Sequence, residues 1–465
     1  LSGYFGRDVL GFDNLFGLNW GNATGTLRWN RIISDKLFSN TSVVYSSYDY
    51  SFKISANDLS FKILSKINDI NLKQDFQWFI NNNHKLKFGV NAVHHQVLSG
   101  QLESESDLIQ VKKLPKSPSL ELAAYVTNDH QITKKLSATY GVRFTTLSVL
   151  GNGSNFYTYN SSGAVAGSRT YNNWQFAKTY FNVEPRAALS FAYNETSSIK
   201  AAYARNVQNM HTLSNSTSAS PTDVILFSSI NIKPEVADQV SLGWFKNFKD
   251  GAYELNVETY YKSMLNQIDY RNGADISSNE YLEGQLLYGI GRAYGLELIF
   301  RKKQGKLTGW VSYTLSKTER KIDQINNGNW YNAKQDRTHD LSVVAMYEIN
   351  KKLSLSALFV FYTGNAVTFP TGKYVVNGQT HFSYTERNAD RMPNYHRLDI
   401  GLTWYTKNTA KFESSWNFSI YNVYGRQNAY TITFRENKDN PNQTEAVRTA
   451  LFRFVPSVTY NFKFK

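Results

Sequence analysis

The 465-residue chain contains no cysteine, which excludes disulfides, thiolate metal sites and cysteine nucleophiles while leaving the redox compartment open. It also lacks any run of 18 apolar residues, so it carries no transmembrane helix. Gly-rich phosphate cradles, zinc-protease helices and nucleic-acid modules are missing, and the basic residues are not gathered as a duplex-binding face requires. Leu1 opens neither the basic start nor the apolar core of a signal peptide. The expectation is a processed chain or one whose N-terminal part is missing. No linker or change of texture divides residues 1–465, so they read as one domain.

What is present is aromatic. Tyr, Phe and Trp number 31, 29 and 9, although mean hydropathy is −0.45. A helical membrane protein does not combine these, but a membrane barrel needs only every second residue to be apolar. The end of the chain has that period: Phe452, Phe454, Pro456, Val458, Tyr460, Phe462 and Phe464 alternate with Arg453, Val455, Ser457, Thr459, Asn461, Lys463 and Lys465. Successive side chains of a strand point to opposite faces. Soluble sheets alternate too, but a strand of about 13 residues exceeds their usual length and suits a tilted membrane strand of roughly 9 to 11.

Eight short polar turns recur, at Ser34 to Lys36, Asn81 to Lys85, Thr133 to Lys135, Asn194 to Ser197, Phe248 to Gly251, Lys302 to Gly305, Asn350 to Lys352 and Lys407 to Lys411. An alternating strand follows each, as in Tyr253, Leu255, Val257, Thr259 and Tyr261. Long polar or interrupted stretches lie between: Gly151 to Asn173, Leu213 to Ile230, Asn272 to Leu282, Thr363 to Arg391 and Glu436 to Glu445. Short turns at one end and long loops at the other predict an all-β, antiparallel transmembrane barrel with about 17 or 18 strands here. An odd count predicts one more strand within residues 1–21, or several before Leu1.

Chemistry would need clustered ligands or a nucleophile beside a base. His94 and His95 are neighbours and face opposite sides of a strand, so they cannot share a metal. No cofactor or metal is expected. His339-Asp340, and His396 with Asp399, suggest acid/base pairs, but wall-to-loop hydrogen bonding is the stronger explanation and no enzyme is expected. Arg28, Arg143, Glu254, Glu258, Asp399, Arg453 and Lys463 lie opposite apolar faces and should face the lumen, as ladder salt bridges or as contacts to a plug. The tryptophans near strand ends suit interfacial girdles, whereas Trp330 and Tyr331 lie in a loop, to pack there or to stack on a planar ligand. The balance of 51 basic against 37 acidic residues, +14, suits solvated turns, anionic headgroups or an anionic cargo.

Ordered motifs along nearly the whole chain resemble the barrel region of TonB-dependent receptors of the Bacteroidota type. They include Leu27-Arg28-Trp29-Asn30, Lys87-Phe88-Gly89, Ala204-Arg205-Asn206, Lys233-Pro234-Glu235, Gly291-Arg292-Ala293-Tyr294-Gly295-Leu296-Glu297, Ser312-Tyr313-Thr314-Leu315-Ser316, Asp336-Arg337-Thr338-His339, Tyr362-Thr363-Gly364-Asn365 and Arg391-Met392-Pro393-Asn394-Tyr395-His396-Arg397-Leu398-Asp399. The resemblance implies a 22-stranded barrel in the bacterial outer membrane, with a plug and the first strands upstream of Leu1. It implies TonB-driven uptake of a specific solute, such as a glycan, peptide or siderophore. It also implies contact with membrane lipid and lipopolysaccharide, the TonB system, the barrel-assembly machinery and a surface lipoprotein lid, and no nucleic acid. Tyr460, Phe462 and Phe464 resemble the signal read by the assembly machinery, with Lys465 trailing as a departure. Three rivals remain, a passive porin, a barrel hydrolase that would depend on His339 or His396, and a barrel serving as a structural subunit of a larger outer-membrane complex.

Overall fold

A computed structural model describes residues 1–12, 16–56, 59–104, 116–213, 223–274, 279–376, 379–437, 439–440 and 443–464. One antiparallel sheet of 19 strands dominates, one of them being only Tyr331–Asn332. The long strands, in chain order, are β1 Ser2–Phe12, β2 Phe16–Ser34, β3 Leu37–Ala56, β4 Leu59–Asn81, β5 His84–Ser104, β6 Ser117–Gln131, β7 Leu136–Leu150, β8 Phe176–Asn194 and β9 Ser197–Gln208. They continue as β10 Glu235–Phe248, β11 Tyr253–Tyr270, β12 Leu286–Lys302, β13 Leu307–Ile322, β14 His339–Asn350, β15 Leu353–Tyr362, β16 Tyr395–Asn408, β17 Phe412–Tyr421 and β18 Val455–Phe464. Each pairs with its predecessor, from β1 with β2 to β17 with β18. Among the described residues β1 and β18 do not pair with each other. The extra strand expected within residues 1–21 is β1.

All eight expected turns join consecutive strands at one end of the wall. Side-chain oxygens hold several of them: the Asn350 amide oxygen accepts from the Lys352 and Leu353 amides at 2.8 and 3.0 Å, and Thr133 Oγ1 accepts from Leu136 at 3.0 Å. Such bonds let Asn and Thr replace the ladder with a turn. The register shifts one residue before five of these turns, for instance between Glu348 and Asn350, which bends the strand into the reversal. The long stretches all lie at the opposite end. Parts of them, 214–222, 275–278, 377–378, 438 and 441–442, fall outside the described residues.

One face of the wall is apolar and open. Leu72, Val90, Phe144, Phe181, Leu242, Phe300 and Phe462 are all more than 40% exposed, alternating with residues of the other face. So much exposed apolar surface is a liability in water and a requirement in lipid. Trp78, Trp244, Trp404 and Trp416 stand on this face within a few residues of the turns, where an amphipathic ring anchors at the headgroups. The last strand needs a correction, because it spans ten residues from Val455 rather than about 13 from Phe452. Its partner β17 ends at Tyr421, opposite Val455, so residues 452–454 have no backbone to pair with.

Candidate functional site

The lumenal face carries the polar side chains that the apolar face lacks, and their rows follow from strand register. Asp75, Gly89, Tyr125, Arg143 and Glu184 lie opposite one another across β4 to β8. Gly89 makes this row possible. A Cβ there would sit 2.3 Å from the Gln74 carbonyl oxygen and 2.8 Å from the Tyr125 hydroxyl. Tyr125 lies across the gap and donates to Asp75, which also pairs with Lys73 at 3.0 Å. Arg143 stands 5.7 Å from the Tyr125 ring and 4.0 Å from Glu121, while Glu184 accepts from Thr145 at 2.9 Å.

The other expected lumenal residues divide. Arg28 donates to Ser42 at 3.3 Å. Glu254 meets Lys303 at 2.5 Å, Arg301 at 3.7 Å and the Asn256 amide at 2.9 Å. Asp399 pairs with Arg397 at 3.0 Å and accepts the Asn422 amide at 2.9 Å. Lys463 stands opposite Glu413. Arg453 is not on the wall, because it precedes β18, and its Nε and Nη2 lie 3.1 Å from the Gln427 side-chain amide. Glu258 is the exception, flanked by Gly243 on one strand and directly opposite Glu297 on the other. Among the described residues neither Glu258 nor Glu297 has an ion-pair partner. Periodicity alone places Glu258 on this face, but its pairing with Glu297 requires the register between strands.

Above the wall the described parts of the long loops pack against one another and against the strand ends. The hairpin formed by Met210–Leu213 and Val224–Phe227 sets Leu213 and Val224 against Ile232, Ile268, Leu282 and Leu286, each 8% exposed or less. Its other side meets β3 and β5: Tyr50 donates to the Asp223 carbonyl, Ser99 to the Ile225 carbonyl, and the Phe227 ring lies tilted 4.8 Å from that of His95. Arg387 joins the Asp269 carboxylate at 2.5 Å, the Tyr270 carbonyl at 2.8 Å and the Asn272 side chain at 2.9 Å. Burial and the Asp269 carboxylate raise the pKa of the Tyr331 hydroxyl, which donates to Asp269 at 2.8 Å. Tyr331 is thus enclosed, 5% exposed, and Trp330 lies under the Arg292 guanidinium at 4.2 Å. Burial also raises the Glu283 carboxyl against the opposing bonds from Asn231 and Ser229, and lowers the Lys334 ammonium. None of this loop chemistry was legible beforehand, because its partners lie far apart in the chain.

The histidine pairs do not assemble. His339 lies opposite Leu315 of the apolar face and reaches Tyr313 at 2.8 Å, whereas Asp340 is on the lumenal face. His396 and Asp399 are likewise on opposite faces. His95 stands 2.8 Å from Asp69 and 3.9 Å from Glu121, while His94 stacks on Trp174 at 5.0 Å on the other face. Among the described residues no three His, Asp or Glu side chains converge as metal ligands.

An apolar outer face, a polar lumen, eight short turns and a mouth of long loops agree with the family comparison, in which the model for the TonB dependent receptor-like β-barrel matches residues 2–423. The chain belongs to that family. It is an integral outer-membrane barrel. No curated protein sequence matches it. Among solved structures this receptor barrel is similar to the ferric-catecholate import receptor Fiu of E. coli K12 in its closed form, at 14% identity and a TM-score of 0.59, covering 97% of this chain and 65% of that one. It is similar to the ferric yersiniabactin uptake receptor FyuA of Yersinia pestis, at 13% and 0.63, covering 97% and 62%, and to the copper transporter OprC, at 13% and 0.63, covering 97% and 67%. At such identities the likeness is one of fold, and the chain spans about two thirds of the length of these structures.

Proposed function

We propose that the chain is the wall of a TonB-dependent transporter of the Bacteroidota type that takes a specific solute across the outer membrane. A plug and further strands would precede Leu1, and cargo would bind between the loop mouth and that plug. A glycan, peptide or siderophore-like solute fits the reading, with a surface lipoprotein as a lid and the TonB system as the energy source. The observation that carries it is the facing pair Glu258 and Glu297 on the lumenal side. Like charges directly opposite in a sheet are destabilising, so the arrangement makes sense when something inside the barrel supplies the counter-cation. A plug with basic side chains does so, whereas a passive porin would leave the pair to water. Arg28, Arg143, Asp399 and Lys463 would contribute to the same inner surface, Glu254 through its ladder of wall pairs, and Tyr460, Phe462 and Phe464 would serve as the assembly signal.

The test is E258Q/E297Q in the full-length protein. Weakened plug retention, read as raised single-channel leak in planar bilayers, is the expected result. An unchanged leak would reject the counter-cation role. High conductance from the unsubstituted protein would favour the porin instead. Fixed-stoichiometry co-purification with non-transport proteins, without solute uptake, would favour a structural subunit.

A further inference from the structure

Asp69, His95 and Ser119 stand in one row across β4, β5 and β6, and Glu121 follows Ser119 two residues on, on the same lumenal face. Asp69 Oδ1 lies 2.8 Å from His95 Nδ1. An ionised carboxylate only accepts, so Nδ1 carries the proton and the neutral ring presents a lone pair at Nε2. That nitrogen is buried and has no hydrogen-bond partner. Ser119, directly opposite, is 3% exposed, and its Oγ is likewise buried and unpartnered. Asn209, at the foot of the hairpin that begins at Met210, donates to Glu121 Oε2 at 2.8 Å and leaves its own Oδ1 buried and unpartnered. Each such atom costs about 1 to 3 kcal/mol unless something satisfies it.

Two ordinary explanations fail. An imidazolium bridging Asp69 and Glu121 needs its Nε2 proton donor within about 3.2 Å of the acceptor, but Glu121 Oε2 is 3.9 Å away. A bond between Ser119 and His95 would satisfy both atoms at once, yet each stands without a partner.

The geometry points to a divalent first-row cation, Zn²⁺ by preference, held between His95 Nε2 and Glu121 Oε2, with the oxygens of Ser119 and Asn209 completing its shell. Metal–ligand bonds of about 2.0 to 2.2 Å place two donors roughly 3.4 Å apart in a tetrahedron. The 3.9 Å gap therefore closes onto an ion with a small side-chain movement. Asp69 has the place of the outer carboxylate that fixes ring and tautomer in such sites. Turning the Asn209 amide end for end puts its oxygen where its nitrogen now stands, a contact between two oxygens that a cation makes favourable. Arg143 stands 4.0 Å from the other carboxylate oxygen, Oε1, and leaves Oε2 to the ion. One imidazole among oxygens, in a chain with no cysteine, suits Zn²⁺ rather than a thiolate-seeking metal. The ion would tie the hairpin to the wall, because Phe227 lies over His95 and the Asn209 carbonyl accepts the Ser228 amide at 2.8 Å.

The full-length protein would be stripped with chelator in detergent and titrated with Zn²⁺, and separately with Ca²⁺, which takes oxygen ligands only, beside H95Q and E121Q. Each variant is expected to lose one Zn²⁺, or to hold it at least tenfold more weakly, while keeping the heat-modifiable migration of a folded barrel. Hydrogen exchange on the unsubstituted protein needs no variant and so guards against a folding failure. Zn²⁺ should slow exchange at the Ser228 amide at least tenfold and leave the amides of β17 unchanged. Equal Zn²⁺ uptake by all three proteins, no slowing at Ser228, or equal slowing by Ca²⁺ overturns the site.

Discussion

Removing the Arg387 charge should loosen the loop mouth without touching the wall. Arg387 and Asp269 are each 10% exposed, and the guanidinium also holds the Tyr270 carbonyl and the Asn272 side chain. Breaking one partner of a buried pair leaves the other charge desolvated, at a cost of about 3 to 5 kcal/mol. At 1.4 kcal/mol per factor of ten, that raises the open population of the loops by roughly 10² to 4 × 10³. Arg387→Met should therefore speed hydrogen exchange by that factor at amides bonded across the loops, such as Arg387 to the Asn326 side chain and Asn388 to Thr368. Amides of β7 and β8 should be unchanged. In the triple variant D269L/R387M/Y331F the ion pair and the Tyr331 hydroxyl become apolar together, leaving only the Tyr270 carbonyl and the Asn272 side chain to turn to water, and because such replacement is often near neutral, exchange should return toward the unsubstituted rate. Exchange in R387M equal to the unsubstituted protein, or a triple variant as loose as R387M, would show that packing of Leu213, Ile268 and Leu282 holds the mouth by itself.

Other expectations follow from the wall. Leu242→Lys places a charge near mid-depth in lipid and should cost about 2 to 4 kcal/mol in folding into vesicles. Ser241→Lys, one residue away on the lumenal face, should cost far less, and equal costs would contradict the assignment of faces. Gly89→Ala should destabilise by roughly 1 to 3 kcal/mol through overpacking against Gln74 and Tyr125, measured as the shift in urea midpoint. Glu283 has a raised carboxyl pKa, so between its ordinary and raised values the folded loops hold the proton that the unfolded loops release. Loop protection should therefore be greatest at low pH and fall as pH rises from the ordinary value of 4.5 through the raised one. Exchange at Gly284 followed from pH 4 to 9 checks this, and Glu283→Gln should flatten the profile.

The parts of this barrel that local chemistry decides were readable before the structure, and the parts that pairing decides were not. Asn350, Asn81 and Thr133 terminate strands with their own side-chain oxygens, so the turns can be found from single residues. Faces can be followed by parity only until a bulge intervenes. At Asn266, which has a φ of 58°, the register slips between Leu265 and Gln267. Leu265 therefore points outward while Gln267 and Asp269, of the same parity, turn inward, and this slip delivers Asp269 to Arg387 and Tyr331. No count along the chain can find that site, since the ion pair joins residues 118 apart. The end of the chain shows the converse. Phe452 and Phe454 keep the alternation of β18, but a strand lasts only as long as its neighbour, and β17 stops at Tyr421. Extending β17 should lengthen β18, whereas repeating the pattern within residues 452–454 should not, because periodicity selects the face and the adjoining backbone selects the length.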